Sequence, residues 1–289
     1  MDSNALQEEN CLMTRMQLIL LLVFGANLTF AQQLPTSTTN AQVAVLPQGS
    51  LPYDPAKVAE SIRGSYYHPD DLAGLDCSVS VDWTTLFSAM KATVPADRMK
   101  VLQGLKIRSH AMRGKVPELT FDWSGGPLDT KDQVEGGFKQ MASGFYQMYW
   151  SLIASPVVSK ASDFTRIEPL PNGELNVVST SPNMNVVVTL DKEFTPTHYV
   201  LDGTAMKGTF DLHYVVPPNP VPGDLRRISS MLVSEQIGTS NFNVDVELDY
   251  QPAGKFNVPQ HVTFSLIGAY SVKMDFEDCS ALDEPKAPK

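Results

Sequence analysis

The residues of this chain able to do chemistry are its histidines, carboxylates and paired arginines. The histidines are His68, His110, His198, His213 and His261. Asp211 and His213 stand two residues apart, a spacing that puts both side chains on one face of a strand, and His198 lies one candidate strand earlier. Together they are the set a metal-dependent hydrolase would need, with solvent-facing or hydrogen-bonded strand histidines as the plainer alternative. His68-Pro69-Asp70-Asp71 sets carboxylates beside an imidazole, but neighbours in a proline loop diverge, and capping is the expected role. Asp245, Glu247 and Asp249 form a row of carboxylates on one strand face. Such pairs serve acid–base work or calcium, yet at roughly 7 Å spacing along an outward face they are ordinarily just hydrated. Arg226-Arg227 would meet an anionic head group or pair with that acidic row. There is no phosphate loop, dinucleotide glycine fingerprint or nucleophile elbow. The chain thus offers no catalytic residues, no metal set better than the one above and no cofactor, and the expectation is a protein that is not an enzyme.

The element that dominates the sequence is a meander from Phe242 to Cys279. Phe242, Val244, Val246, Leu248 and Tyr250 alternate with polar neighbours, which predicts a strand with one face buried. Gln251-Pro252-Ala253-Gly254 supplies a turn, and Phe256, Val258, Val262, Phe264 and Leu266 return. After Gly268-Ala269, Tyr270, Val272, Met274 and Phe276 complete a third strand. Its cover is the longest helix, expected from Asp129 to about Ala154. Thr130 and Gln133 form a capping box there, and Val134, Phe138, Met141, Phe145, Met148 and Leu152 trace one face. A helix of that length spans roughly 36 Å. Phe138, Met141, Phe145 and Met148 of the helix, with Val246, Phe264, Val272 and Met274 of the meander, share inward faces. They are either plain core or the lining of a cavity for an apolar ligand, methionine being well suited to variable apolar surfaces.

Ahead of this cover, Asp54-Pro55 starts a short helix that ends near Gly64, and Asp82 caps a second with the stripe Trp83, Leu86, Phe87 and Met90. A short third helix runs through Met99 and Leu102. Leu105 to Trp123 reads as a hairpin turning at Arg113-Gly114-Lys115. After Pro156 the chain is β: 164–168, 174–179, 184–190, 197–201, 206–216 and 226–235, with turn signals at Pro171-Asn172-Gly173 and Leu201-Asp202-Gly203. Pro217 to Gly223 is a stiff exposed loop. These elements make one α+β domain over 54–280, a large curved antiparallel sheet (a half-barrel) covered on its concave face by the long helix and the shorter N-terminal helices.

The first residues are a targeting segment. Leu18 to Phe24 is an apolar run after Arg15, and Thr29-Phe30-Ala31 places cleavage after Ala31, so 1–31 is read as a signal peptide. Its first dozen residues are acidic, and Met13 or Met16 is a plausible true start. The apolar run is short for a membrane span, and no stable span is expected after cleavage. Residues 32–53 read as a disordered leader and 281–289 as a flexible tail. Cleavage leaves Cys77 and Cys279, expected as a disulfide in an exported protein, with two buried thiols as the alternative. At 43% hydrophobic content the 289-residue chain can bury a sizeable core, and its net charge of −10 opposes nucleic acid.

The order of elements from Asp54 to Cys279 resembles the periplasmic lipoprotein-carrier (outer-membrane lipoprotein-sorting) superfamily. The closing run FNVPQHVTFSLIGAYSVKMDFEDC is similar to that superfamily's last strands, where a proline precedes a strand and a short Gly-Ala turn leads to the final one. The chain also resembles uncharacterised exported bacterial proteins. The resemblance implies a periplasmic or secreted, non-enzymatic carrier for a lipid or acylated protein, in an open half-barrel plugged by helices. Arg108, Arg113, Arg226 and Arg227 are all candidates for the superfamily's gating arginine. The competing reading is an envelope interaction module with a filled core, an envelope protein as partner and no small ligand.

Overall fold

The computed structural model describes residues 53–282, except 92, 125, 127, 156–160, 182–183, 204–206, 218–223, 238–239 and 268. The stretches read above as signal peptide and leader, up to residue 52, and most of the stretch read as tail lie outside the described residues. The fold is α+β. Its strands are β1 (Gly74–Val81), β2 (Lys106–Met112), β3 (Glu118–Asp122), β4 (Arg166–Pro169), β5 (Leu175–Ser181), β6 (Met184–Leu190), β7 (Pro196–Gly203), β8 (Lys207–Val215), β9 (Arg227–Ile237), β10 (Ser240–Ala253), β11 (Phe256–Leu266) and β12 (Tyr270–Leu282). They form an open antiparallel sheet in the order β3-β2-β1-β12-β11-β10-β9-β8-β7-β6-β5-β4. The helices are α1 (Pro55–Ser65), α2 (Trp83–Ala89), α3 (Ala96–Gln103) and α4 (Lys131–Met148), with a π-helical turn at Tyr149–Ile153.

Packing divides the described residues into two compact units, the first from 71–150 and 246–282, the second from 53–70 and 151–245. In the first, α4 lies on the inner face of β11 and β12. The Phe145 ring stands 5.7 Å from that of Phe264, edge-on, and 5.3 Å from that of Phe276. Val134, Phe138, Met141 and Phe145 are all buried, at the spacings of a helix with one apolar stripe. Asp82 starts α2 by accepting a hydrogen bond from the Thr85 amide at 2.9 Å, while its own amide donates to the Lys273 carbonyl at 3.0 Å. That pair of bonds ties the head of α2 to β12. The cap also holds the Asp82 carboxyl below the usual carboxylate range, because the Thr85 hydroxyl and amide both donate to it. Cys77 of β1 and Cys279 of β12 are joined by a disulfide across neighbouring strands.

In the second unit one rung of side chains crosses six strands. Ile167, Val177, Val188, Tyr199, Phe210 and Val233 are successive partners, and every one is buried. Period-2 alternation in each strand brings this about, since a shift of one residue anywhere would turn that strand's apolar set outward. Against this face lies α1, begun by Asp54, which accepts from the Ala56 amide at 2.9 Å, and Pro55. Its Val58, Ala59 and Ile62 are buried. The Ser65 hydroxyl donates to the Phe194 carbonyl at 3.1 Å and fixes the end of α1 to the β6–β7 turn.

The structure corrects several local expectations. Residues 74–81, expected as no element, form β1 at the centre of the first unit. Thr130 precedes α4 but makes no capping hydrogen bond, and the Gln133 side-chain oxygen is buried without a partner, so the capping box does not form. The α-helical part of α4 ends at Met148, where π-helical hydrogen bonding takes over. The turn after β10 is the pair Gly254-Lys255, with Gly254 at φ 60°, and Pro252 belongs to the strand. Leu201-Asp202-Gly203 continues β7 instead of turning, and β12 runs to Leu282, into the stretch read as tail.

Candidate functional site

The first unit has a partly open void of about 30 Å³ between α2, α4 and the end of β12. Val81 ends β1 at one side. Trp83, Leu86 and Met90, from α2 and its C-cap, form a second wall. Val134, Gly137, Phe138 and Met141 of α4 form a third, and Tyr270 and Val272 of β12 the floor. Each wall arises from a local pattern. The α2 residues sit at i, i+3 and i+7, the α4 residues at i, i+3, i+4 and i+7, and the β12 residues two apart, so each group shares one face. No side chain with a formal charge lines the void. Its volume is that of one or two water molecules, while small-molecule pockets run to roughly 300–1,000 Å³.

Of the side chains expected to line a ligand site, Phe138, Met141 and Val272 border this void. Phe145, Val246, Phe264 and Met274 are buried in packed core and do not border the void, and Met148 is half-buried in the last turn of α4. The register brings Phe264 opposite Val272 and Met274 opposite Val262. The walls missed by sequence reasoning are Val81, Trp83, Leu86, Met90, Val134, Gly137 and Tyr270. The stripe of α2 carried the signal. It was legible as amphipathic, but nothing in it told which sheet edge it would cover.

The polar candidates resolve into pairs. His198 Nδ1 lies 2.6 Å from Asp211 Oδ1 across β7 and β8, while His213 is exposed on the same strand. No three His, Cys, Asp or Glu side chains among the described residues are gathered as a metal site. His261 and Asp275 pair in the same cross-strand manner at 2.6 Å. His110 and Arg108 both approach Asp76. His68 Nδ1 meets the Tyr66 carbonyl oxygen at 2.9 Å, a structural bond. Arg226 pairs with Asp191 at 3.4 Å and not with the row Asp245, Glu247 and Asp249, and Arg227 lies over the Tyr67 ring. Glu235, on the core-facing side of β9, is held above the usual carboxylate range by burial. A second, open depression of about 620 Å³ lies over β7 to β10 of the second unit, among Thr209, Ser234, Gln236, Asn241, Asn243 and the Lys207–Asp202 ion pair. Val200, Leu201, Gly208 and Glu235 complete its lining, which mixes apolar and polar surface.

No family model and no curated protein matches the chain. A crystal structure described as a candidate outer membrane lipoprotein-sorting protein domain from Vibrio parahaemolyticus is similar over 81% of this chain and 94% of its own, at 10% identity and a TM-score of 0.26. The overlap amounts to a weak likeness of fold, too loose to carry an argument about function. No helix among the described residues is long and apolar enough to cross a membrane.

Proposed function

We propose that this is an exported, non-enzymatic binding protein for an apolar or acylated ligand, such as a lipid or an acylated protein, held between α2, α4 and β12. The observation that carries the reading is a void walled on three sides by apolar side chains without a charge among them. The walls differ in how firmly they are held. β12 is hydrogen-bonded on both sides and disulfide-linked to β1. α2 has seven residues, and the chain leaves it through Lys91 at φ 54°, a conformation non-glycine residues rarely adopt. A ligand larger than the void displaces the short helix before it displaces the sheet. The apolar run before Ala31 and the Cys77–Cys279 bond support an oxidising, extracytoplasmic compartment.

The size of the void favours a second reading, an interaction module whose core is filled and which carries no small ligand. One experiment separates the two. Native mass spectrometry of the protein, secreted through its own leader and purified without detergent, is expected to reveal an added mass that organic extraction removes. The stripped protein is then expected to bind 1,6-diphenylhexatriene, a hydrocarbon probe whose fluorescence rises in apolar surroundings. Val272→Phe, which fills the floor of the void, should weaken that binding at least tenfold with an unchanged circular-dichroism spectrum. Phe264→Asp is less informative, because it would bury an unpaired carboxylate against Phe145 and unfold the core. Bare protein that also ignores the probe would leave the interaction module as the reading.

A further inference from the structure

Burial on the inner face of the second unit fades one rung from the end of its strands. The rung Ile167, Val177, Val188, Tyr199, Phe210 and Val233 is buried throughout. Two residues further along, Ser179, Val186, Leu201, Gly208 and Glu235 are successive partners on the same face, and all are half-buried. Phe242, two residues before the buried Val244 of β10, is half-buried as well. Gly208 leaves the row without a side chain between Leu201 and Glu235. Glu235 is the row's single ionisable group. It has no hydrogen bond or ion pair among the described residues, and burial holds it above the usual carboxylate range. The row is thus a small apolar shelf without the cover its neighbouring rung has.

The course of α1 brings a particular segment of the chain to this shelf. Ser65, its last residue, is tied to Phe194 in the turn after β6. α1 also packs on the 3₁₀ turn Ala161–Asp163. That turn leads into Thr165, whose amide donates to the Val178 carbonyl and whose hydroxyl accepts from the Thr180 amide. It therefore lies at the other end of the strands, where Ser181 meets Met184. Eleven helical residues span about 16 Å and the seven of β6 about 20 Å, so Pro55 stands near the level of Val186. The chain ahead of Pro55 arrives beside the shelf. Residues 32–52 contain no Asp, Glu, Lys or Arg, and Val43-Ala44-Val45-Leu46 is their longest apolar run. Residues 47–52 reach at most about 20 Å, and three strand spacings from β6 to β9 need only about 15 Å. A cover without acidic residues also sets no second negative charge beside Glu235.

We propose that the segment Val43–Leu46 docks on this shelf, over Val186, Leu201 and Phe242, and so acts as an intramolecular plug of the second unit. The inference concerns the second unit alone and does not depend on a ligand in the first. Its test uses the full chain, secreted through its own leader. A photo-reactive p-benzoylphenylalanine in place of Val45 is expected to cross-link, within one molecule, to peptides of β6, β7, β9 or β10. Val43→Asp/Val45→Asp should raise the binding of Nile red, a neutral reporter of exposed apolar surface, about threefold or more. Thr38→Asp/Thr39→Asp, which adds the same charge outside the apolar run, should leave dye binding unchanged. Dye taken up by the first unit is common to all three proteins and cancels in the comparison. Both variants lie ahead of the folded elements, so their circular-dichroism spectra should match that of the unaltered protein. Cross-links to a second molecule, to other peptides or to none overturn the proposal, as does equal dye binding by all three proteins.

Discussion

Single buried polar groups show how this core tolerates tyrosine. Ser109 donates to the Tyr146 hydroxyl at 2.8 Å, so that phenol is satisfied inside the first unit. Tyr199 is different. It is 1% exposed, and its hydroxyl has no hydrogen-bond partner among the described residues. Burial, reinforced by the nearby phenols of Tyr66 and Tyr214, pushes its hydroxyl well above the ordinary tyrosine range, and burial raises Tyr146 and Tyr270 too. The unfolded chain releases phenol protons near pH 10 while the folded chain holds them, so this stability is intact below pH 10 and drains away as pH rises beyond it. Tyr199→Phe removes an orphan hydroxyl and keeps the ring. Its urea midpoint at pH 7 should equal or exceed that of the unaltered protein, and its loss of stability between pH 10 and 12 should be shallower. A drop of more than about 1 kcal/mol at pH 7 would mean that the hydroxyl has a partner after all.

At the scale of elements, period and composition were readable where a strand or helix has one wet face. The meander, α1, α2 and β6 followed from alternation or from the 3.6-residue stripe, because in each the buried face is set by the element's own side chains. β1 was lost for a physical reason. Leu75, Cys77 and Val79 alternate with Asp76 and Ser78, but Gly74 and the small residues around them weaken the strand signal. A Cβ on Gly74 would come 2.8 Å from the Ala111 carbonyl oxygen, so glycine is required by the neighbouring strand, which the local sequence does not announce. The candidate site was half legible for the same reason. Phe138, Met141 and Val272 belong to faces whose direction is set locally, whereas the α2 wall depends on a long-range docking. Gly136 is a contrasting glycine. It lies within α4, and a Cβ there would meet nothing within 4 Å. Gly136→Ala should therefore stabilise the protein by about 1 kcal/mol, through helix propensity alone. Calorimetry should register this as a rise in Tm of about 2–4 °C. An unchanged or lower Tm would show that α4 needs the flexibility of glycine.

At the scale of the molecule, the bond between Cys77 and Cys279 spans 202 residues of sequence. In the chain-entropy picture so long a loop restricts the unfolded state by about 5 kcal/mol. The double variant Cys77→Ser/Cys279→Ser should accordingly unfold at a much lower urea concentration, and reductant should bring the unaltered protein to the same midpoint. Coincident midpoints for oxidised and reduced protein would refute a stabilising role. The two strands so joined are among the earliest and the latest of the described chain. β1 takes its place beside β12, whereas the strands from Arg166 to Asp245 are contiguous in sequence. Emergence from the ribosome thus imposes an order. The contiguous strands have all their partners in hand while the first unit still lacks β11 and β12. Until β11 and β12, Phe256 to Leu282, are made, the apolar stripe of α4 has no floor to lie on. The nascent chain must carry that stripe uncovered from the completion of α4 at Met148 until β12 follows, so a chaperone's claim on this protein falls on α4 and ends when β12 arrives.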